Sequence, residues 1–114
     1  MPKHEPSILL HHMLDHAREA YSLAESRSRA DLETDRLLNF ALVRLLEIIG
    51  EAANRVPIED RSRYPNIPWP QIIGMRNRLI HGYDSVDFDI LWPTLSEDLP
   101  PLITALESIL TSED

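Results

Sequence analysis

The sequence contains no cysteine. Disulfides and thiolate metal sites are therefore excluded, and a reducing, cytoplasmic setting is expected. Glycine is scarce, with three in 114 residues and none beside another. No phosphate-cradling glycine loop can be built from them. No apolar run approaches the roughly 20 residues that span a bilayer, so no membrane partner is expected. The opening MPKHEPSILLHHML is too short in its apolar part, and too polar after it, for a secretory leader. Positive charge is in deficit as well: the formal net charge is −8. A protein that grips long nucleic acid usually has a broad basic surface, which this chain cannot supply. A small basic pocket around Arg76 and Arg78 stays compatible with that balance. No strand-like alternation of useful length appears, and no repeat.

What is present fits one domain over residues 1–114, with a core of moderate size. The chain is 43% hydrophobic and 26% charged, which is ordinary for a globular protein and argues against disorder. The periodicity predicts a first helix from Ser7, read as an N-cap, to about Ala24. Leu10, Met13, Leu14, Ala17, Ala20, Tyr21 and Ala24 share its apolar face. A polar turn follows over Ser26–Arg29. A long second helix is expected from Ala30 to Arg55, stopped by Pro57. Its broad core face includes Leu37, Leu38, Leu42, Leu45, Leu46 and Ile49. Phe40 and Val43 project outside that face and point to a second contact, with another chain. Residues 57–68 hold three prolines and read as a loop with one helical turn. A third helix runs from Trp69 or Pro70 to His81. Asp87 is a candidate N-cap for a fourth, whose stripe of Phe88, Leu91, Leu95, Leu99, Leu102, Leu106 and Leu110 is interrupted on the outward side by Pro100 and Pro101. The prolines should kink or divide it. The expected fold is all-α, a bundle of four or five helices.

The most informative stretch is RNRLIHGY, residues 76–83. At about 100° per residue, Arg76 falls in the middle of the apolar stripe made by Ile72, Ile73, Met75, Leu79 and Ile80. A guanidinium cannot be neutralised, so it must meet an acidic residue or open onto a cleft that receives an anion. His81 follows about 140° round the helix, and Gly82 permits the helix to stop. A fixed cation, a titratable imidazole and the Tyr83 phenol thus gather at one helix end. Spacing alone leaves two readings open. Arg76 is an ion-paired or snorkelling residue and His81 a helix C-terminal one favoured by the dipole. Alternatively the pair works on a phosphodiester. Arginine matches phosphate oxygens with its fork, and histidine takes or gives a proton near neutral pH. That chemistry needs no metal or other cofactor. Two histidines would come from a symmetric dimer.

Other candidates are weaker. His12 and His16 have the i, i+4 spacing of metal ligands, with His11 and Asp15 nearby, but lie on the exposed face of the first helix. Glu47 and Glu51 read as surface glutamates, or Glu51 packs beside the third helix and neutralises Arg76. Trp69 and Trp92 sit on apolar faces and read as core.

Arg76-x4-His81-x-Tyr83, with Asn77 after the arginine, resembles the signature of the HEPN superfamily, and in particular its HepT-like toxins. EIIGEAANRVP (Glu47–Pro57), IPWPQIIGMRNRLIHGYDSVDFDILW (Ile67–Trp92) and DLPPL (98–102) are similar to that family as well, so the resemblance spans about nine-tenths of the chain. It implies an up-and-down helical bundle that dimerises and brings two motifs into one cleft. It implies a metal-independent endoribonuclease, the toxin of a type VII-like toxin–antitoxin pair. Arg76 would bind and stabilise phosphate, His81 would be the acid/base, and Asn77 would support the local geometry. The implied partner is an MntA-like minimal nucleotidyltransferase antitoxin that transfers AMP onto Tyr83. Some members of the superfamily only bind, so a non-catalytic nucleotide- or partner-binding module is the alternative.

Overall fold

The computed structural model describes residues 5–82 and 85–113. Helix α1 runs over Glu5–Ala24. Ser7 lies inside it rather than at its start, because Pro6 suits a first helical turn and lets the helix begin earlier. The expected second helix is two. Helix α2 covers Arg29–Thr34, and α3 covers Arg36–Arg55. Ser28 and Asp31 form a capping box at the start of α2. Asp35 leaves the helical region at φ −100°, ψ 95°, and its Oδ1 accepts the Leu38 N–H at 3.0 Å. One short acidic side chain thus ends α2 and caps α3.

The face of α3 departs from the sequence expectation at its edges. Leu37 is 84% exposed and Phe40 45%, whereas Val43 is buried with Leu38, Leu42, Leu45, Leu46 and Ile49. The outward apolar pair is Leu37 and Phe40, not Phe40 and Val43. The Arg36 guanidinium lies 4.7 Å from the Phe40 ring centroid.

After the single turn α4 (Ile58–Arg61), the predicted third helix is broken. Helix α5 spans Trp69–Ile73, and α6 spans Met75–Leu79. Gly74 separates them at φ −84°, ψ 3°, outside the helical minimum. Helix α6 ends at Leu79, because Ile80 is extended at φ −111°, ψ 125°. A small antiparallel hairpin follows, with β1 (Ile80–His81) pairing β2 (Ser85–Val86) in the register Ile80↔Val86, His81↔Ser85. Gly82 turns it with φ +71°, a conformation that other residues rarely adopt. His81 therefore stands on a hairpin and not at a helix end.

Asp87 caps α7 (Phe88–Pro93). A π-helical turn over Thr94–Asp98 leads into α8 (Leu99–Glu113). The Leu99 N–H reaches back to the Thr94 carbonyl. Pro100 and Pro101 disturb the helix just there: they lack N–H groups and their rings crowd the preceding turn, which widens. Among the described residues the fold is all-α apart from this hairpin.

Helices α1 and α8 pack antiparallel: Arg18 reaches Glu107, while Tyr21 and Ala24 line one cavity with Trp92 and Leu95 farther along. Helix α3 fills the other side of α1 and carries α5 and α6 on its far end. The core is continuous from Leu10 and Met13 through Leu42 and Ile49 to Leu91 and Leu106. Trp69 is buried and donates its Nε1–H to the Arg61 and Tyr64 carbonyls, while Trp92 is half-buried against the core. No helix among the described residues is long and apolar enough to cross a membrane.

Candidate active site

Helix α6 carries Arg76, and α3 receives it. The two approach closely because Gly50 has no side chain. A Cβ there would lie 2.7 Å from the Ile72 carbonyl oxygen. Opposite Ile72 comes Gly50, and one turn on, opposite Arg76, comes Glu47. The Arg76 Nε–H donates to Glu47 Oε2 at 2.7 Å. Glu51 is not the partner expected from the sequence. It takes Arg44 Nη1 at 2.9 Å, and the same Nη1 lies 3.7 Å from Glu47 Oε1. The antiparallel crossing, fixed at Gly50, selects the glutamate on the N-terminal side.

Burial of Arg76 in an apolar stripe is also corrected. Its side chain is 67% exposed. Gly74 resets the helical register, so Met75 and Leu79 turn inward and Arg76 turns out. Glu47, only 16% exposed, holds it at Nε and leaves both terminal amino groups to solvent. Such an exposed pair contributes about 0–1 kcal/mol to stability, so its use is orientation. Arg76, Asn77, Arg44, Glu47 and Glu51 border one groove of about 410 Å3. Two arginines face two glutamates there.

Arg78 lines a different cavity of about 380 Å3 on the other side of α6, floored by Leu46, Met75 and Leu99. Arg76 and Arg78 therefore share no basic pocket. The second cavity is the more apolar, and no histidine lines it.

His81 is 65% exposed, and its Nε2 lies 2.7 Å from Asp87 Oδ2. Asp87 Oδ1 accepts the Asp89 and Ile90 N–H groups at 2.9 and 3.3 Å, and the Asp87 N–H donates to the Leu79 carbonyl at 2.7 Å. The hydrogen bond from His81 is the main reason the Asp87 carboxyl titrates below its ordinary 3.8; desolvation opposes it, and the two amides assist. Sign follows directly. A depressed carboxylate contributes stability that is complete above its unfolded value and lost as pH falls through the folded one. Titrating the Asp87 13Cγ resonance should give a midpoint below 3.8 that rises toward it in His81→Ala. An unchanged midpoint in that variant would break the assignment.

Among the described residues no hydrogen bond or ion pair joins Arg76 to His81, and His81 does not border the Arg76 groove. Tyr83 lies outside the described residues. His11 and His12 are exposed, and the His16 Nδ1 lies 2.6 Å from the His12 carbonyl oxygen. Sequence reasoning placed Asp87 only as a cap. Its second oxygen finds His81 because Gly82 folds the chain back, a signal visible as His-Gly followed by Asp six residues after the histidine.

A family model described as "Ribonuclease HepT-like" matches residues 13–109. The chain is 39% identical over 100 residues to "Probable ribonuclease HepT" of Thermococcus cleftensis, covering 84% of this chain and 91% of that protein. It is 37% identical over 108 residues to "Putative RNase TTE0752" of Caldanaerobacter subterraneus subsp. tengcongensis, covering 95% and 96%. A third relative, "Putative RNase MJ1380" of Methanocaldococcus jannaschii, is 30% identical over 109 residues, covering 96% and 100%. No solved structure matches the chain. The helical bundle and these matches agree, and the chain belongs to the HepT-like ribonuclease family of the HEPN superfamily.

Proposed function

We propose that this protein is a metal-independent endoribonuclease, the toxin of a toxin–antitoxin pair. One observation carries the reading. Arg76 and His81 are each gripped by a carboxylate through one nitrogen and are otherwise about two-thirds exposed. Their remaining donors and acceptors face solvent, oriented and free to meet whatever docks. The His81 imidazole takes the proton from a ribose 2′-hydroxyl. The 2′-oxygen attacks phosphorus, the bond to the 5′-oxygen breaks, and that oxygen leaves with a proton. Products are a 2′,3′-cyclic phosphate and a 5′-hydroxyl. The terminal amino groups of Arg76 stabilise the charge gathering on the phosphoryl oxygens, and Asn77, beside it in the groove, helps seat the strand.

A homodimer supplies the second imidazole that protonates the leaving oxygen. Leu37 and Phe40 on α3 are the exposed apolar residues that such a dimer would cover. Leu37→Asp with Phe40→Asp should shift the protein from dimer to monomer in sedimentation and reduce cleavage at least tenfold, by about the loss of one proton-transfer partner. An unchanged sedimentation coefficient would place the interface elsewhere. The antitoxin is a minimal nucleotidyltransferase that places AMP on Tyr83, which follows Gly82 in the sequence. The added phosphate would compete for Arg76.

Glu47→Ala frees Arg76 Nε while leaving its charge. Cleavage should fall about tenfold with the melting temperature nearly unchanged, as for loss of an orienting partner. Full activity in that variant would show that Glu47 does not aim the guanidinium.

A second reading, a non-catalytic binding module, draws on His81 lying outside the Arg76 groove within one chain. Incubating the purified protein with single-stranded RNA in the presence of chelator separates the two. Cutting supports the ribonuclease. A stable dimer that never cuts, yet accepts AMP from its neighbour-encoded transferase, supports the module.

A further inference from the structure

We infer that Asp87 is the positioning residue for His81, fixing the imidazole as the Nε2–H tautomer and leaving Nδ1 as the nitrogen that exchanges the substrate proton. The inference rests on the ribonuclease reading and assigns a role within it. It starts from how the two Asp87 oxygens are used. Oδ1 is committed to the amides of Asp89 and Ile90 at the start of α7. That fixes the rotation of the carboxylate. Oδ2 is then presented to His81 Nε2 at 2.7 Å. An ionised carboxylate only accepts, so Nε2 must carry the hydrogen and donate. In the neutral imidazole the other nitrogen, Nδ1, is then the acceptor.

The backbone reinforces the same geometry. The Asp87 N–H closes on the Leu79 carbonyl at 2.7 Å, and the hairpin pairs His81 with Ser85. Gly82, at φ +71°, makes the return. Both partners are therefore tied at the main chain, and the side-chain contact does not have to order a loose loop. Among the described residues, the other charged groups on the elements around the pair are Arg76 and Arg78 on α6, Asp89 on α7, Arg29, Asp31 and Glu33 on α2, and Glu97 and Asp98 on the π-helical turn; Arg29 donates to both Asp89, at 2.6 Å, and Glu33, at 2.8 Å. Asp89 is already engaged by Arg29, which leaves Asp87 as the carboxylate bonded to the imidazole.

Asparagine and serine both keep an oxygen for the α7 cap, so either variant should fold. They differ at His81. Asparagine has one acceptor oxygen, which the cap uses, so its NH2 turns to Nε2. A donor there favours the tautomer with hydrogen on Nδ1, the reverse of the native one. Serine offers His81 nothing. The ranking is therefore specific. Asp87→Asn should lower kcat on the order of 100-fold or more, as when a triad carboxylate is replaced by its amide. Asp87→Ser should lower it about tenfold. KM for RNA should change less than about threefold in both, since Asp87 touches no substrate.

The test pairs those kinetics with 15N spectra of the imidazole in the wild type and the Asp87→Asn protein at about pH 8, where imidazole is neutral. The expected result is the Nε2–H form in the wild type, the Nδ1–H form in Asp87→Asn, and equal melting temperatures. An Asp87→Asn enzyme with wild-type kcat, or one whose tautomer is unchanged, overturns the inference. Should no preparation cut RNA, the ribonuclease reading fails, while the tautomer reversal still decides the positioning of His81.

Discussion

Gly50→Ala should destabilise the protein by about 2 kcal/mol, and Gly50→Val should leave little folded protein at all. The new Cβ would sit 2.7 Å from the Ile72 carbonyl oxygen, and a second carbonyl, that of Ile73, lies at 3.7 Å. Both obstacles are backbone, so no rotamer change relieves them. Helices α3 and α5 would have to separate, which overpacked cores resist at about 1–3 kcal/mol or more. Alanine gains about 1 kcal/mol over glycine in a helix interior, but that gain is smaller than the clash. For a chain of this size 1 kcal/mol moves the melting temperature by about 4–8 °C, so Gly50→Ala should melt about 10 °C lower. The consequence reaches the site, because Gly50 borders the Arg76 groove. Pushing α5 outward carries α6 with it and draws Arg76 away from Glu47. A Gly50→Ala protein that melts at or above the wild-type temperature would refute the close α3–α5 crossing.

Arg76→Ala and His81→Ala should each reduce RNA cleavage by roughly 100-fold or more, while leaving the fold intact. The two halves of that expectation have separate grounds. Both side chains are about two-thirds exposed, so truncating them removes little packing, and the surface pairs they make are weak. The activity loss is large because each removes a function with no substitute. Losing a charge-stabilising donor costs on the order of 100- to 1000-fold, and losing general acid–base catalysis about 100- to 10,000-fold. Arg76→Lys keeps the charge but not the fork, and its ammonium cannot donate to Glu47 and offer two parallel amino groups at once. It should recover only a minor part of the activity. Circular dichroism and melting curves of all three variants check the fold beside a quantitative cleavage assay.

The helical architecture was readable because apolar spacing decides it. Leu10, Met13 and Leu14 in α1, and Leu91, Leu95, Leu99 and Leu106 after Asp87, are all buried as their periodicity predicts. Errors arise where one residue interrupts the period. Asp35 looks like any exposed helical acid until its oxygen is seen on the Leu38 amide. Past that break the projected face holds at Leu38, Leu42, Leu45, Leu46 and Ile49 and misses at its edges, where Leu37 is exposed and Val43 buried. Gly74 acts likewise, turning Arg76 from the apolar stripe to the surface. The choice of Glu47 over Glu51 as its partner depends on where α3 and α5 cross, which is a tertiary fact set at Gly50. His81 was placed on a helix because nothing in a two-residue strand alternates long enough to register as a strand. An arginine, a histidine and a tyrosine at that spacing form a motif that is read without the backbone beneath it, and the roles proposed for Arg76 and His81 start from it.

The central claim is that Arg76 and His81 cleave RNA by transfer of a 2′-hydroxyl proton. Analysis of the RNA ends made by the purified protein in excess chelator tests it most directly. The account predicts 2′,3′-cyclic phosphate and 5′-hydroxyl ends, formed at the same rate with or without chelator and absent from the His81→Ala reaction. Cleavage that leaves 5′-phosphate ends, stops on chelation, or persists undiminished in a folded His81→Ala protein would contradict it.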